Sequence, residues 1–398
     1  MSTDLAESLS ALDVDNVFVY VADAVRWDAL PSAVANRGVT AKGVAASIHS
    51  PTSFAALVSG LSPPTNGVFS FTNRLDVPTL FDVPDHETRY DSSMLDAGGA
   101  DDSLFSVFGL NPGESHGELD TVKAPFVLLE RGNGGHAPYG DSDLTAWEYF
   151  RANPDLSAAQ FREAYEQRVA SDAERFAARM ETLESRGLLE NTLVVYTSDH
   201  GELLGEGGSL GHNGPMRAEL VHVPVVFSHP DLPGDATSPD LVRHVDLLPT
   251  LLDILGVDEW PVELDGRSLV HEEPADHGLS FYDSSFFTDR VPGLSGRLRY
   301  EGAWDRDGGW VIPRSPRRDR TAILAGKLLK SAKRGYLQRH ALPAFRAYLR
   351  GTTRYGIPGF DRDQALDWLA AANERSVTRT EVELSEDAGE QLRDLGYL

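Results

Sequence analysis

The chain has 398 residues, 41% of them hydrophobic, so it can bury a large core in one α/β domain with an appendage or in two domains. It contains no cysteine, which excludes disulfides, zinc–thiolate sites and cysteine nucleophiles. The acidic N-terminus lacks the basic and then apolar pattern of a signal peptide, and no apolar run of about 18 residues follows it. These features predict a soluble, cytoplasmic protein.

Acidic residues dominate the charge, with 61 Asp and Glu against 36 Lys and Arg, and only five of the latter are lysines. Such a surface repels itself in dilute buffer, and high salt screens the repulsion. The composition therefore favours a halophilic protein, the alternative being an ordinary acidic protein from a GC-rich genome. Residues 314–354 are the exception, because they carry twelve Lys or Arg and one acid. This segment has a charge of +11 in a chain of −25, which leaves −36 on the rest.

Short apolar runs rich in β-branched and aromatic residues recur along the chain. The first, "NVFVYVA", has no polar alternation, which is typical of a strand buried on both faces of a parallel sheet. The runs cover residues 16–22, 125–131, 192–199 and 224–229. Between them, Ser157–Arg186 has the spacing of an amphipathic helix that Ser157 caps and Gly187 ends. Strands alternating with helices predict an α/β fold with a doubly wound, mostly parallel sheet.

The residue pattern of the C-terminal third differs from that of the rest of the chain. A helix is predicted over His244–Gly256, with Pro249 near its first turn. From about His271 short aromatic pieces follow, so we predict a catalytic domain over 1–270 and a smaller C-terminal region over 271–398. Residues 314–354 within it predict one or two basic amphipathic helices broken near Pro343. These helices either cover the acidic domain or contact anionic lipid or glycan. Nucleic acid is disfavoured, because no reader motif is present.

Polar residues follow two of the predicted strands. Asp23 comes directly after the first strand, and Asp199 with His200 ends the third. In doubly wound sheets, ligands gather beyond the carboxyl ends of the strands. Carboxylate oxygens and imidazole nitrogens suit a divalent ion such as Mn, Zn or Mg. An Asp-His pair alone is as often a cap or a salt bridge, but an independent aspartate at another strand end favours a metal site.

A third element is "SIHSPTSFAALVSG", residues 47–60, which gathers the hydroxyls of Ser50, Thr52 and Ser53 before a short helical stretch ending at Gly60. A hydroxyl at a helix N-terminus can bind an anion together with the backbone N–H groups there. Contact with a metal ion lowers the pKa of such a hydroxyl and makes it a nucleophile. The alternative is a plain helix N-cap.

Eight blocks occur in the order found in the sulfatase family of the alkaline phosphatase superfamily, which the chain resembles over roughly residues 16–270 and the last few residues. They are "YVADAVRWDAL", "SPTSFAALVSGLSPPTNGV", "PFVLLERGNGGHAPYG", "LLENTLVVYTSDHGELLGEGG", "VPVVF", "HVDLLPTLLDILG", "DGRSL" and "LRDLGYL". The resemblance implies an alkaline phosphatase/sulfatase-like α/β fold and a divalent metal ion, which could be Mn, Zn, Ca or Mg.

The resemblance also implies roles for particular residues. Asp23, Asp199 and His200 match metal ligands of the family. Ser50 falls at the position of the nucleophile, which also touches the metal.

Two histidines match substrate contacts. His136 matches a histidine that contacts the oxyanion or the leaving group, and His212 lies where many members hold the sulfate or phosphate. The alternative for both is a hydrogen-bonded loop histidine. Arg26 and Asp28 also match the pattern, and for these we predict a structural ion pair beneath the metal.

The departures from the family pattern bear on the reaction. Ala24 stands where typical sulfatases have a second aspartate, and Gly207 stands where they have a histidine. Thr52 and Phe54 replace the proline and arginine of the motif in which a Cys or Ser matures to formylglycine. We therefore predict that Ser50 stays a plain serine.

These residues predict a metal-dependent sulfatase-family hydrolase that acts on sulfate or phosphate esters through a hydroxyl nucleophile. An unmodified serine favours phosphate esters, because it lacks the elimination route by which formylglycine releases sulfate. The alternatives are a phosphotransferase or phosphodiesterase acting on glycan or lipid head groups, and a non-catalytic binding member of the family. The predicted partner is a sulfated or phosphorylated small molecule, glycan or lipid, with peripheral membrane contact through 314–354 as a further option.

Overall fold

The computed structural model describes residues 3–93, 102–140, 142–286 and 293–382. The last block of the family resemblance, residues 392–398, lies outside the described residues. The strands are β1 Asn16–Ala22, β2 Val39–Val44, β3 Asn73–Arg74, β4 Glu87–Ser92, β5 Phe126–Gly132, β6 Thr192–Thr197, β7 Leu203–Leu204, β8 Leu210–Gly211, β9 His222–Ser228, β10 Ala236–Arg243, β11 Gly278–Ser285, β12 Arg297–Trp304, β13 Gly308–Pro313, β14 Thr353–Gly356 and β15 Thr380–Glu381.

The helices fall between these strands and after them. They are α1 Leu5–Ser10, α2 Ser32–Ala35, α3 Ser50–Ser59, α4 Pro63–Asn66, α5 Leu104–Phe108, α6 Pro112–Ser115, α7 Ala146–Ala152, α8 Ala158–Ser185, α9 Ala218–Val221, α10 His244–Ile254, α11 Arg317–Lys330, α12 Arg334–Arg339, α13 Ala341–Leu349 and α14 Arg362–Glu374. Short 3₁₀ turns cover Trp27–Ala29, Leu80–Asp82, Leu189–Asn191 and Glu206–Gly208.

The central sheet has seven strands in the order β10-β2-β9-β6-β1-β5-β4. Its strands are parallel except β9, which runs antiparallel to both β2 and β6. The prediction of a mostly parallel sheet is confirmed. The apolar run 224–229 does form a strand, but periodicity could not give its direction.

Helices cover both faces of this sheet. The odd-numbered residues of β1, such as Val17 and Val19, pack on one face with residues of α3 and α10. The even-numbered residues, such as Phe18 and Tyr20, pack on the other face with α8. Because β1 is buried on both sides, its sequence shows no polar alternation. The long helix α8 begins after Ser157, whose hydroxyl accepts a hydrogen bond from the Gln160 N–H, as its capping pattern predicts.

A second, four-stranded antiparallel sheet follows in the order β11-β12-β13-β14. It lies beside the central sheet, since Phe281 of β11 donates its N–H to the Ala46 carbonyl at 2.8 Å. The end of the described chain returns to the N-terminal half, where β15 pairs with β3. The domain boundary at residue 270 stays a prediction.

The basic segment 314–354 forms three helices, α11, α12 and α13, rather than the one or two predicted. Pro343 does not break them, because it lies in the first turn of α13, where a missing N–H is harmless. Their buried apolar residues, including Ile323, Leu337 and Tyr348, join one core with Trp304 of the second sheet. The segment therefore covers the acidic part of the protein. Within the described ranges, no helix is long and apolar enough to span a bilayer.

Candidate active site

Four of the predicted site residues lie together at the carboxyl edge of the central sheet. Asp23 follows β1, and Asp199 and His200 follow β6. Ser50, the first residue of α3, comes shortly after β2. All four are buried. One ligand atom each of Asp23, Asp199 and His200 lies within 4.8 Å of the others. The sheet thus joins residues that are far apart in the sequence.

The two carboxylates fit a divalent ion. Asp199 Oδ1 accepts hydrogen bonds from the Ala24 and His200 N–H groups, at 3.0 and 2.9 Å. Among the residues that the structure describes, Asp23 Oδ1 and Asp199 Oδ2 have no hydrogen-bond partner, although both are buried. Leaving such an oxygen unpaired costs about 1–3 kcal/mol or more. A cation held by both oxygens removes this cost.

The pKa values of the two aspartates point the same way. Burial raises the pKa of Asp199, and the neighbouring Asp23 carboxylate raises it further. Burial would also raise the pKa of Asp23, but Arg131, with His136 and His200, more than offsets this and lowers it. Two buried carboxylates at this distance repel each other unless a positive charge lies between them.

His200 presents the ring nitrogen that a metal ion requires. Its Nδ1 lies 2.9 Å from the Gly201 carbonyl oxygen, so Nδ1 carries the proton and donates it there. The unprotonated Nε2 lies 3.2 Å from Ser50 Oγ and 3.5 Å from the Asp199 carboxylate. Asp23, Asp199, His200 and Ser50 would therefore hold the ion.

Hydrogen bonds to main-chain groups hold the loop after β1 in place. Ala24, where typical sulfatases have an aspartate, adopts a left-handed conformation with φ of 60°. Tyr165 of α8 donates its hydroxyl to the Ala24 carbonyl and accepts from the Arg26 N–H, both at 2.9 Å. Arg26 pairs with Asp28 at 2.8 Å, as predicted, and also with Glu206 at 2.6 Å. These contacts hold the aspartate end of β1 in place, while Ala24 supplies an N–H instead of a carboxylate.

Arg131 is a site residue that the sequence analysis missed. It is buried in β5, beside β1, and its guanidinium pairs with Asp23 and with the buried Asp102. Its Cζ lies 5.6 Å from the centre of the Phe54 ring. An arginine thus lies beside the first aspartate, although Phe54 replaces the arginine of the family motif. The sequence feature that could have identified Arg131 is the charged residue at the end of the apolar run "PFVLLER", which ends at the same sheet edge as Asp23.

Ser50 lies at the N-terminus of a fully buried helix. The N-cap of α3 is His49, and Pro51 follows Ser50. Ser50 is therefore the first helical residue and not the cap that the plain alternative assumed. The partial positive charge of a helix N-terminus favours an anion at this place.

His136 reaches the same region on the loop after β5. Gly134, with φ of 52°, lets this loop cross Asp23 closely, because a Cβ there would lie 2.0 Å from the Asp23 carbonyl oxygen. His136 is buried, and its Nδ1 lies 2.7 Å from the Ala137 carbonyl oxygen. Burial lowers the pKa of His136 to about 4. The ring is therefore neutral near pH 7, with its proton on Nδ1.

His212 completes the cluster of histidines. Its ring centre lies 4.2 Å from that of His200 and 5.5 Å from that of His136. Its Nδ1 lies 3.2 Å from a carboxylate oxygen of the buried Glu202. Burial and the neighbouring histidines lower the pKa of His212. The geometry brings both predicted substrate histidines to the metal cluster.

Gly207, where typical members have a histidine, has a packing role instead. Its φ is 61°, and a Cβ there would lie 3.3 Å from the Ala347 side chain of α13. The glycine-rich loop after Asp199 and His200 therefore leaves room for the basic helices to pack onto the site.

At this edge of the sheet the α/β fold brings two carboxylates, an imidazole and a hydroxyl together at the strand ends. A family model described as Sulfatase matches residues 114–257. A low-salt glycan biosynthesis sulfotransferase of Haloferax volcanii, Agl7, is 33% identical and covers 96% of each chain.

Two solved structures share the fold. A 2-O GAG sulfatase aligns with a TM-score of 0.59 at 16% identity over 96% of each chain. The phosphonate monoester hydrolase of Agrobacterium radiobacter aligns with a TM-score of 0.56 at 17% identity, over 86% of this chain and 100% of that chain. The chain belongs to the sulfatase family of the alkaline phosphatase superfamily.

Proposed function

We propose that the protein is a metal-dependent enzyme that moves a sulfuryl group from an ester to another oxygen through Ser50, and that its substrate is a glycan. The observation that carries the proposal is the position of the Ser50 hydroxyl, 3.2 Å from His200 Nε2 and beside two buried carboxylate oxygens without partners. A divalent ion bound there would act as a Lewis acid towards the hydroxyl and the sulfuryl oxygens.

The reaction has two balanced steps. The Ser50 oxygen attacks sulfur as the bond to the ester oxygen breaks, and the serine proton ends on the departing alcohol. An acceptor hydroxyl then attacks the serine ester, which regenerates Ser50 and a new sulfate ester. His136 and His212 each hold a proton on Nδ1, so Nε2 can accept the proton of the incoming hydroxyl. With water as the acceptor, the same steps give hydrolysis.

Transfer to a glycan is favoured over hydrolysis on two grounds. The reactive groups are buried, which restricts water, and a cavity of about 870 Å³ lined in part by His136 and His212 has room for an acceptor. The relative that matches over nearly its whole length is named as a glycan biosynthesis sulfotransferase. A non-catalytic role is disfavoured, since a binding protein has no need of unpaired carboxylate oxygens beside a buried hydroxyl.

Phosphate esters are the second candidate substrate, and an unmodified serine favours them. One assay separates the two. Nitrophenyl sulfate, nitrophenyl phosphate and bis-nitrophenyl phosphate are supplied in molar KCl with Mn, Zn, Mg or Ca, with and without a hexosamine acceptor. We expect nitrophenol release from the sulfate, an increase with the acceptor, and the sulfate group recovered on the hexosamine.

Serine variants test whether Ser50 is the residue that reacts with the ester. Ser50→Ala should lower turnover by at least about a thousandfold, because a nucleophile is lost. Ser59→Ala is the matched control, since that hydroxyl lies on the same helix and donates to the Ala55 carbonyl. Equal turnover by wild type and Ser50→Ala contradicts the proposal. Free sulfate equal to nitrophenol, with no sulfated hexosamine, establishes hydrolysis instead of transfer.

A further inference from the structure

A cavity extends from His136 and His212 to the basic helices. His136 and His212 form one end of its lining, and Lys327, Lys330 and Lys333 of the basic segment form another part. These are three of the five lysines in the whole chain. The sequence left open whether the basic segment covers the acidic domain or contacts lipid or glycan. In the structure its three lysines line the same cavity as His136 and His212.

Two of these lysines are half-buried and close to other cavity groups. The Lys333 ammonium lies against the main chain next to His212, since a Cβ on Gly211 would lie 1.9 Å from it. It also lies 4.5 Å from the centre of the Phe150 ring. The Lys327 ammonium donates to the Asn213 carbonyl and lies 4.4 Å from the centre of the Phe286 ring.

Neither ammonium has a partner of opposite charge at contact distance. Across the described ranges, no carboxylate lies within 4.0 Å of Lys327 or Lys333. Burial and the charge of Lys333 lower the pKa of Lys327 to about 7. Burial lowers the pKa of Lys333, which the Glu202 carboxylate partly offsets. Among the described lining residues, Lys327, Lys330 and Lys333 face a single carboxylate, that of Glu202. In a chain of net charge −25 this excess of positive charge is an arrangement that a bound anion would stabilise.

The walls between the lysines and the histidines are partly aromatic. Trp147 and Phe150 line the cavity, and the exposed apolar faces of such rings pack against sugars and other flat or cyclic groups. The cavity thus joins the lysines, an aromatic wall and the two histidines of the candidate site in one continuous space.

We propose that Lys327 and Lys333 form a second anion-binding subsite, which holds a sulfate, phosphate or carboxylate carried by the same molecule as the reacting group. The substrate is then doubly anionic. The inference rests on the proposed function only for the location of the reacting group. Two sources fit this chemistry, namely an anionic sugar unit and a nucleotide phosphate.

Binding tests the subsite separately from turnover. Metal-loaded Ser50→Ala protein at fixed KCl concentration is titrated calorimetrically with a monosulfated hexosamine, a disulfated hexosamine and adenosine 3′,5′-bisphosphate. We expect at least one doubly anionic probe to bind about tenfold or more tightly than the monosulfated sugar, as for a charge-assisted hydrogen bond. A preference for the disulfated sugar or for the nucleotide identifies the source of the second anion.

The lysines are then replaced in the same background. Lys327→Met together with Lys333→Met should abolish the preference for the doubly anionic probe, whereas the exposed Lys123→Met should keep it. The melting temperature of the double variant without ligand shows that it is folded. Equal affinity of the parent protein for all three probes overturns the proposal, whatever the variants do. A preference that survives in the folded double variant also overturns it.

Turnover keeps this inference apart from the proposed function. If wild type does not cleave nitrophenyl sulfate but the lysines select the doubly anionic probe, the proposed reaction fails and the subsite stands. If turnover depends on Ser50 and no probe is preferred, the subsite fails and the reaction stands.

Discussion

At the scale of single residues, the site depends on how buried charges are balanced. One carboxylate oxygen of Asp23 pairs with Arg131. The other has no hydrogen-bond partner among the described residues and would contact the cation. Arg131 in turn bridges Asp23 and Asp102. A buried charge needs such partners, because removing one leaves the other unpaired in a medium of low polarity. Arg131 therefore acts by positioning Asp23.

Replacing Arg131 with Met should destabilise the protein by about 3–5 kcal/mol, since Asp23 and Asp102 both lose their counter-ion. The loss should be smaller with saturating Mn than with EDTA, because a bound cation restores part of the charge balance at Asp23. Urea unfolding of both variants in each condition measures this. The control is Arg318→Met, whose side chain is 69% exposed. Its effect should stay within about 0.5 kcal/mol, and an equally small effect for Arg131→Met would contradict the account.

The residues predicted from the sequence and the residue that was missed differ for a physical reason. Asp23, Asp199 and His200 follow apolar runs, so the chain itself places them at the edge of a sheet where ligands bind. Arg131 is the last residue of its run, but nothing in the local sequence shows that the neighbouring strand in the sheet is the one that ends at Asp23. That fact is a property of strand order, which periodicity does not contain.

At the scale of elements, buried strands and the long helix are predictable because the pattern reflects their own environment. β1 has the predicted bounds, and α8 begins and ends as its serine cap and Gly187 indicate. The direction of β9 depends on its connections and could not be predicted. The basic helices show the opposite case, because charge alone left open whether they cover the acidic domain or contact lipid or glycan.

Within the basic segment, main-chain oxygens at the end of α13 are joined to α11. Arg320 is buried and donates to the Tyr348 carbonyl at 2.8 Å and to the Arg350 carbonyl at 2.6 Å. Its outer side exposes Leu329, Leu342 and Phe345. Peripheral contact with anionic membranes through this side stays a prediction, for which flotation with anionic liposomes is the assay.

At the scale of the whole molecule, acidic residues exceed basic ones, and a related protein occurs in a haloarchaeon. Both observations agree with a halophilic setting. The described residues also include several buried, neutral histidines. Away from the metal cluster, His222 donates a hydrogen bond from Nε2 to the Asp305 carbonyl oxygen at 2.8 Å. Burial, with the nearby Lys42, lowers the pKa of His222 to about 4.

This shift predicts acid lability. The unfolded chain takes up a proton on His222 near pH 6.5, while the folded protein does so only near pH 4. The stabilisation is therefore complete above pH 6.5 and is lost as pH falls through this window, by on the order of 3 kcal/mol. His222→Gln keeps a hydrogen-bonding group but no titration, so its melting temperature should fall less between pH 7 and about pH 4.5. Parallel pH profiles for wild type and variant at constant KCl would contradict this.

The central claim is that Ser50, unmodified, carries the transferred group. The most direct measurement is the mass of the protein and of its Ser50 peptide after rapid acid quenching during turnover of nitrophenyl sulfate. The account predicts a plain serine before the reaction, one sulfuryl group on that peptide during it, and none in Ser50→Ala. Turnover with no modified peptide, a sulfuryl group on another residue, or formylglycine at position 50 would contradict it.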